Sequence, residues 1–452
     1  MRENSSFRDP SGAVFYQDGA VYRQVNESYK DQYETLMNSG LYESLAKDGL
    51  LVRHEATDMA LPKGAYVIIK PEMIPYISYP YEWSFGQLKD AALVTLKAHR
   101  RALDSDMILK DASAYNIQFM NGQALLIDTL SFELYHEGQP WIAYGQFCRH
   151  FLSPLMLMAN VDIRLNQLLR VYIDGIPLDL ASTLLGRKGG FSAMQHIRWH
   201  ARATAQHAQD GKQKSRASIG KISKFSHTAM IDSLIRIVEG LKLKGMVTEW
   251  GDYYKMTNYV PEAANKKGEL VAAYLKDIAP KTAWDFGAND GTYSRLALAD
   301  GGHVVAFDID PVAVERNYSA VKQSHERMLP LLQDFYNPSP AIGFANTERT
   351  TIGDRQHPDV ILMLAVIHHM AISNNVPLAR IAEWIAALTK HLIIEFVPKS
   401  DSQVKTLLAT RDDIFPDYTQ AGFERAFSEF FNIKKCEPIS GSERTLYSME
   451  AK

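Results

Sequence analysis

The 452-residue sequence predicts an α/β protein in which an α+β front domain and a helical connector precede a doubly wound, mainly parallel sheet. Three observations lead there. From Thr282 onward, short apolar runs alternate with amphipathic stretches, the pattern of strands covered by helices on both faces. The first run ends in a glycine-bearing turn, "DFGANDG", at Asp285–Gly291. The last two, "IKKCEPI" and "LYSMEA", are separated only by a turn, so the sheet must finish on an antiparallel strand.

The front of the chain is patterned differently. "GAVFYQDGAVYRQV" (12–25) alternates about Asp18-Gly19, a hairpin signal. "YKDQYETLMNSGLYESLAKDG" (29–49) reads as helical up to a C-cap at Gly49. "AYVIIKP" is a short strand, and "SFGQLKDAALVTLKAHRRAL" is an amphipathic helix. "NIQFM" and "ALLID" form a second hairpin around Asn121-Gly122, and "WIAYGQFCRHFLSPLMLM" begins an apolar helical region reaching about Leu185. Residues 186–247 act as a connector. Basic residues accumulate over 198–224 with Asp210 as the only acid, the pattern of a solvated surface, before the helix "HTAMIDSLIRIVEGLKL". The expected domains are therefore 1–185, 186–247 and 248–452. The alternating part runs through "TAWDFG", "YSRLALAD", "HVVAFDID", "PVAVERNYSAVKQS", "MLPLLQD", "DVILMLAVI", "LARIAEWIAALT", "HLIIEFV" and the helix "YTQAGFERAFSEFF".

Bulk properties narrow the function. A net charge of −3 gives no overall attraction to nucleic acid. Cys148 and Cys436 stand far apart and outside metal-ligand spacing, so no metal site is expected and a reducing cytoplasm fits best. No apolar stretch approaches the roughly 20 residues that span a bilayer.

In an open α/β sheet, ligands bind outside the carboxyl ends of the strands. The turn at Gly287 and Gly291 lets backbone approach a ligand, and the following helix start offers N–H groups to an anion. Its G-x-x-x-G spacing is not the G-x-G-x-x-G of dinucleotide binders. Asp308, ending the next strand, is placed to accept ribose hydroxyls.

With "DFGANDGTYS", "VVAFDID", "LLQDF", "LMLAVIHHM" and the terminal hairpin in order, residues 248–452 resemble the class I S-adenosylmethionine-dependent methyltransferases. The resemblance implies a Rossmann-like seven-stranded sheet with a reversed last strand and S-adenosyl-L-methionine as cofactor. It implies that Gly287, Ala288, Asn289 and Gly291 line the methionine half. Asp285 would accept the ammonium, Asp308 with Ile309 would meet the ribose, Asp334 with Phe335 the adenine, and Leu364 would face the transferred methyl. Methyl transfer from an activated sulfonium needs an aligned, deprotonated acceptor. His368 and His369, after the fourth strand, are candidate bases, although such residues also serve merely to shape a pocket. Glu395, ending the fifth strand, is a second candidate acid/base or substrate ligand. "WGDYYKMTNYV" could cover the cofactor with Tyr254 or Tyr259, though such tyrosines also serve packing.

"LKDASAYNIQFMNGQALLIDTLSFE" (109–133) spaces Asp111, Asn116 and Asp128 much as protein kinases and aminoglycoside phosphotransferases space their catalytic and metal-binding residues. That resemblance is degenerate. No glycine-rich loop precedes it, Arg23 stands where a phosphate-binding Lys is needed, Glu34 is only a possible partner for it, and no Gly follows Asp128. The plain alternative makes the three residues turn and cap groups.

The sequence thus points to methyl transfer to an oxygen or nitrogen of a small-molecule or glycan acceptor oriented by the front domain. Bacterial methyltransferases from nodulation and surface-polysaccharide loci look similar over both halves. An RNA or protein methyltransferase using the basic segment is the alternative, with Trp199 and Phe225 only at that segment's flanks. A non-catalytic pseudokinase–methyltransferase regulatory protein is a third reading.

Overall fold

The computed structural model describes residues 3–188, 192–198, 221–243, 261–409 and 411–452. Most of the basic segment, with Trp199 and Asp210, and the "WGDYYKMTNYV" stretch, with Tyr254 and Tyr259, lie outside the described residues. The chain divides into two compact units, one of residues 1–245 with 341–349, the other of 246–340 with 350–452.

The first unit carries an antiparallel sheet of strands β1 (Gly12–Gln17), β2 (Ala20–Asn26), β3 (His54–Ala56) and β4 (Ala65–Pro71), in the order β1-β2-β4-β3. Asp18 and Gly19 both take positive φ (49° and 75°), as a two-residue hairpin turn of the primed type requires. Asn121 and Gly122 (51° and 74°) repeat the device. There they join β6 (Ile117–Met120) to β7 (Gln123–Leu126), which follow β5 (Met107–Leu109); β5 pairs with β8 (Phe132–Leu134). The expected helix over 29–49 is two helices, Lys30–Asn38 and Leu41–Lys47, because Gly40 between them is left-handed (φ 78°). The helix Phe85–Asp104 starts at a reciprocal cap in which Gln87 N–H donates to Ser84 Oγ and Ser84 N–H to Gln87 Oε1.

The helix Lys224–Gly240, expected as part of a connector, belongs to this unit. Its fully buried His227 meets His99 of helix Phe85–Asp104 at 3.0 Å between Nε2 atoms. Leu109 N–H donates to His99 Nδ1 (3.0 Å), so the His99 proton sits on Nε2 and His227 accepts it. Residues 341–349 also belong to the first unit, which a single boundary near 248 did not anticipate. Within it, Arg8 donates to both carboxylate oxygens of Glu348 (2.6 and 3.2 Å), and the Arg349 guanidinium lies 4.0 Å from the Tyr115 ring centre.

The second unit is a seven-stranded sheet. Its strands are β9 (Thr282–Phe286), β10 (His303–Asp308), β11 (Met328–Leu332), β12 (Val360–Met363), β13 (His391–Phe396), β14 (Phe431–Pro438) and β15 (Thr445–Ala451). The order is β11-β10-β9-β12-β13-β15-β14, with β9 to β13 parallel and β15 antiparallel to both neighbours. Strands covered on both faces read as unbroken apolar runs, as "VILM" does, and all four of its residues are buried. Ala283, Val304, Val360, Leu362 and Ile393 pack with Leu270, Val271 and Tyr274 of the helix Pro261–Ile278 in one core. "SRLALADG" is 3₁₀ rather than α-helical. Among the described residues no helix is long and apolar enough to cross a membrane.

Candidate active site

Strand order reverses between β9 and β12, and there a cavity of about 470 Å³ opens at the carboxyl ends of the strands. Asp285, Gly287, Ala288, Asn289, Asp308 and Ile309 line it, and so do Phe335, Leu364 and His369. Gly291 and Asp334 are not on its wall. Gly291 (φ 81°) shapes the turn from behind, where a Cβ would stand 2.7 Å from the Asn317 amide. Gly287 (φ 77°) is needed for space as well as conformation, since a Cβ would lie 2.5 Å from Val366 Cγ2.

The turn holds itself together. Gly287 and Ala288 N–H both donate to Phe307 O (2.9 Å each), and Asn289 N–H donates to Asp308 Oδ2 (2.8 Å). Asp290 N–H reaches Asn289 Oδ1 (3.0 Å), Gly291 N–H reaches Ala288 O (2.9 Å) and Thr292 N–H reaches Asp290 Oδ1 (3.1 Å). From Gly287 to Thr292 the N–H groups are thus engaged inside the protein, and the helix start expected to follow the turn is the 3₁₀ segment Ser294–Gly301.

Asp308 keeps acceptor capacity. Its second oxygen takes Asp310 N–H (2.8 Å), and a carboxylate has about four lone-pair sites, so two ribose hydroxyls can still be received. Burial pushes Asp308 up to about 6. Burial likewise pushes Asp285 up to about 7, against the Ser294 hydroxyl that donates to it at 2.6 Å. A cation in the cavity would draw both back towards full ionisation.

Phe335 stacks on Phe286 with ring centres 3.8 Å apart, giving the wall a flat aromatic face. The Asp334 carboxylate instead accepts Tyr336 N–H (2.8 Å), while Gln333 takes a place on the wall. His369 faces the cavity. His368, 2 % exposed, lies behind it with ring centres 4.2 Å apart. Burial, helped by the nearby Arg444 charge, lowers His369 to about 4, and burial holds His368 well below the ordinary range, so both are neutral at pH 7.

Glu395 is placed elsewhere than expected. It does not line the cavity; it is fully buried, bonded to Lys267 Nζ (2.7 Å) and Arg444 Nη1 (3.3 Å). A carboxylate enclosed by two buried cations and off the cavity wall is out of reach of an acceptor, which does not suit an acid/base role. Lys267, Tyr293, Gln333, Tyr336, Val366 and Met370 are wall residues that sequence reasoning missed.

In the first unit, Asp111, Asn116 and Asp128 are drawn together by local hydrogen bonds. Asn116 Nδ2 donates to Ser131 Oγ (3.3 Å), which donates to Asp128 Oδ2 (2.7 Å), while Asp128 Oδ1 caps Leu130 N–H (2.9 Å). Asp111 accepts Ser113 N–H (2.9 Å) and Gln146 Nε2 (2.7 Å). Arg23 pairs with Asp128 at 2.5 Å, and Glu34 accepts from Tyr66 OH rather than meeting Arg23. Among the described residues no group of three or more His, Cys, Asp or Glu could hold a metal ion.

The order 3-2-1-4-5 with a reversed strand beyond, and a cavity at the switch point between an acid-tipped second strand and a glycine turn, make the second unit an open, mixed α/β sheet with its cavity where such sheets bind ligands. The chain is 34% identical over 460 residues to the nodulation protein NoeA of Rhizobium meliloti (strain 1021), spanning 99% of this chain and 96% of that one. It belongs to the NoeA family. No family model matches. Solved structures with partial likeness include the N-methyltransferase NodS of Bradyrhizobium japonicum WM9 (TM-score 0.32, 10% identity, 42% of this chain and 97% of that one). Others are magnesium protoporphyrin IX methyltransferase from Synechocystis PCC 6803 (0.32, 18%, 46% and 90%) and WbdD (0.32, 13%, 41% and 40%). At these scores none of the three bears on fold or chemistry.

Proposed function

We propose that the protein is an S-adenosyl-L-methionine-dependent methyltransferase acting on an oxygen or nitrogen of a small-molecule or glycan acceptor. The observation that carries this reading is the run of groups along one cavity: Asp285, the Gly287 turn, Asp308 and the Phe335 face. They match, in order, an ammonium, a thioether chain, a ribose and an adenine. The bound cofactor supplies an electrophilic methyl on a sulfonium. Asp308 orients the ribose, Phe335 the base, and the apolar wall at Leu364 and Met370 keeps water from the transfer line. His369, neutral at physiological pH, is a wall group able to accept a proton from the acceptor.

In this reading the first unit recognises and orients the acceptor. Its Asp111–Asn116–Asp128 group keeps the spacing of a kinase-like scaffold, but the Arg23 ion pair occupies the carboxylate that a nucleotide-bound metal would need. Calorimetric titration tests both halves. Wild type binds S-adenosylhomocysteine, Asp308→Ala loses at least about tenfold in affinity through the ribose hydrogen bonds, and Mg-ATP gives no heat. Undiminished binding by Asp308→Ala would sink the cofactor assignment, and Asp128-dependent heat with Mg-ATP would revive phosphotransfer.

A further inference from the structure

The cavity wall carries a cation that the reading above does not use. Lys267, on the helix Pro261–Ile278, is 3 % exposed and shares the wall with Asp285 and Tyr293. Its ammonium stands 4.4 Å from the Tyr293 ring centre. The counter-charge lies behind it: Glu395 Oε2 at 2.7 Å, itself shared with Arg444, whose Nε reaches Asp401 at 2.8 Å. Two cations and two carboxylates therefore cancel within the protein. Replacing such a cluster with apolar residues of similar volume is often neutral or stabilising. Its presence against a ligand cavity thus calls for a reason other than stability.

The turn supplies that reason. An amino-acid ligand is a zwitterion, and its carboxylate needs a donor. Every N–H from Gly287 to Thr292 already donates within the protein. Among the described wall residues, Lys267 is the only lysine or arginine. Asp285 and Lys267 are also near enough for each to act electrostatically on the other. Resting on the methyltransferase reading, we propose that Lys267 binds the carboxylate of the cofactor's amino-acid end while Asp285 binds its ammonium. Glu395 and Arg444 act as positioning residues that hold the Lys267 ammonium against the cavity. The opposed pair selects for an intact amino-acid end and against cofactor derivatives that have lost it.

Three probes on the full-length chain separate the possibilities: S-adenosylhomocysteine, decarboxylated S-adenosylmethionine and 5′-methylthioadenosine. Wild type is expected to favour S-adenosylhomocysteine over the decarboxylated compound by about ten- to hundredfold, the range of one charge-assisted hydrogen bond. Lys267→Met removes that preference and leaves methylthioadenosine binding unchanged, whereas Lys267→Arg retains part of the preference. Equal binding of carboxylate-bearing and decarboxylated ligands by wild type overturns the proposal without recourse to a variant. So does a Lys267→Met protein that weakens all three alike, because that is the mark of a purely structural cation. Failure of wild type to bind any of the three overturns the methyltransferase reading itself, and the Lys267 assignment with it.

Discussion

Substituting Glu395 by Gln keeps shape and removes one charge from the driest part of the second unit. In the native protein Glu395, with no exposed surface, answers Lys267 at 2.7 Å and Arg444 at 3.3 Å, and Asp401 answers Arg444 at 2.8 Å. The variant leaves two cations against one carboxylate, an uncompensated buried positive charge. Breaking a buried pair in this way costs about 3–5 kcal/mol. Because the two units need not unfold together, the measurement is hydrogen–deuterium exchange resolved to strands β9, β12 and β13. Protection there should fall by the free energy above. The double variant Glu395→Gln/Lys267→Met restores neutrality around Arg444 and Asp401 and should recover more than half of the loss. A single variant within about 0.5 kcal/mol of wild type would mean that the buried cations do not depend on Glu395.

Gly287→Ala forces a Cβ to within 2.5 Å of Val366 at a φ of 77°; a cost of about 1–2 kcal/mol from the backbone alone and loss of S-adenosylhomocysteine binding by calorimetry are expected. Ser294→Ala removes a 2.6 Å bond that favours ionised Asp285, so Asp285 rises above its value of about 7. Proton release on ligand binding at pH 7.5, read from titrations in buffers of different ionisation enthalpy, should then increase. Acidification should weaken the first unit. Burial lowers His227 to about 4, His150 to about 3 and His99 well below the ordinary range. Between an unfolded-state value of about 6.5 and those folded values, the unfolded chain binds the additional protons. Stability is therefore complete above about pH 6.5 and falls below it, by up to about 1.4 kcal/mol per pH unit for each group. A melting midpoint for that unit that stays flat from pH 7.5 to 5 would contradict this.

The second unit was legible because its strands are buried on both faces and announce themselves as apolar runs, and because the glycine turn and Asp308 are tied to fixed places in the strand order. Gly287, Asp308 and Phe335 stand where that order puts them. Lys267 was not legible. It follows Lys266 in "ANKKGEL", and nothing in the pair tells which is solvated; Lys266 pairs with Glu269 at the surface while Lys267 turns inward. Arg444 sits in "GSERT", a turn by composition, yet is 1 % exposed. An acid inside the central strand "HLIIEF" was the signal that could have been followed, since a carboxylate there demands buried partners. Gln333 displaced the expected Asp334 on the wall because the Asp334 carboxylate closes its own turn onto Tyr336 N–H.

The first compact unit includes residues 341–349, and Glu348, 4 % exposed, takes both hydrogen bonds of the Arg8 guanidinium there. A nascent chain therefore cannot complete its leading domain as it emerges. The amino-terminal unit must wait until residue 349 has left the ribosome, by which time β9, β10 and β11 of the other unit have already appeared. Folding in order of synthesis, the usual protection against misassembly in chains of this length, is thus delayed for the leading unit until part of the second has been made.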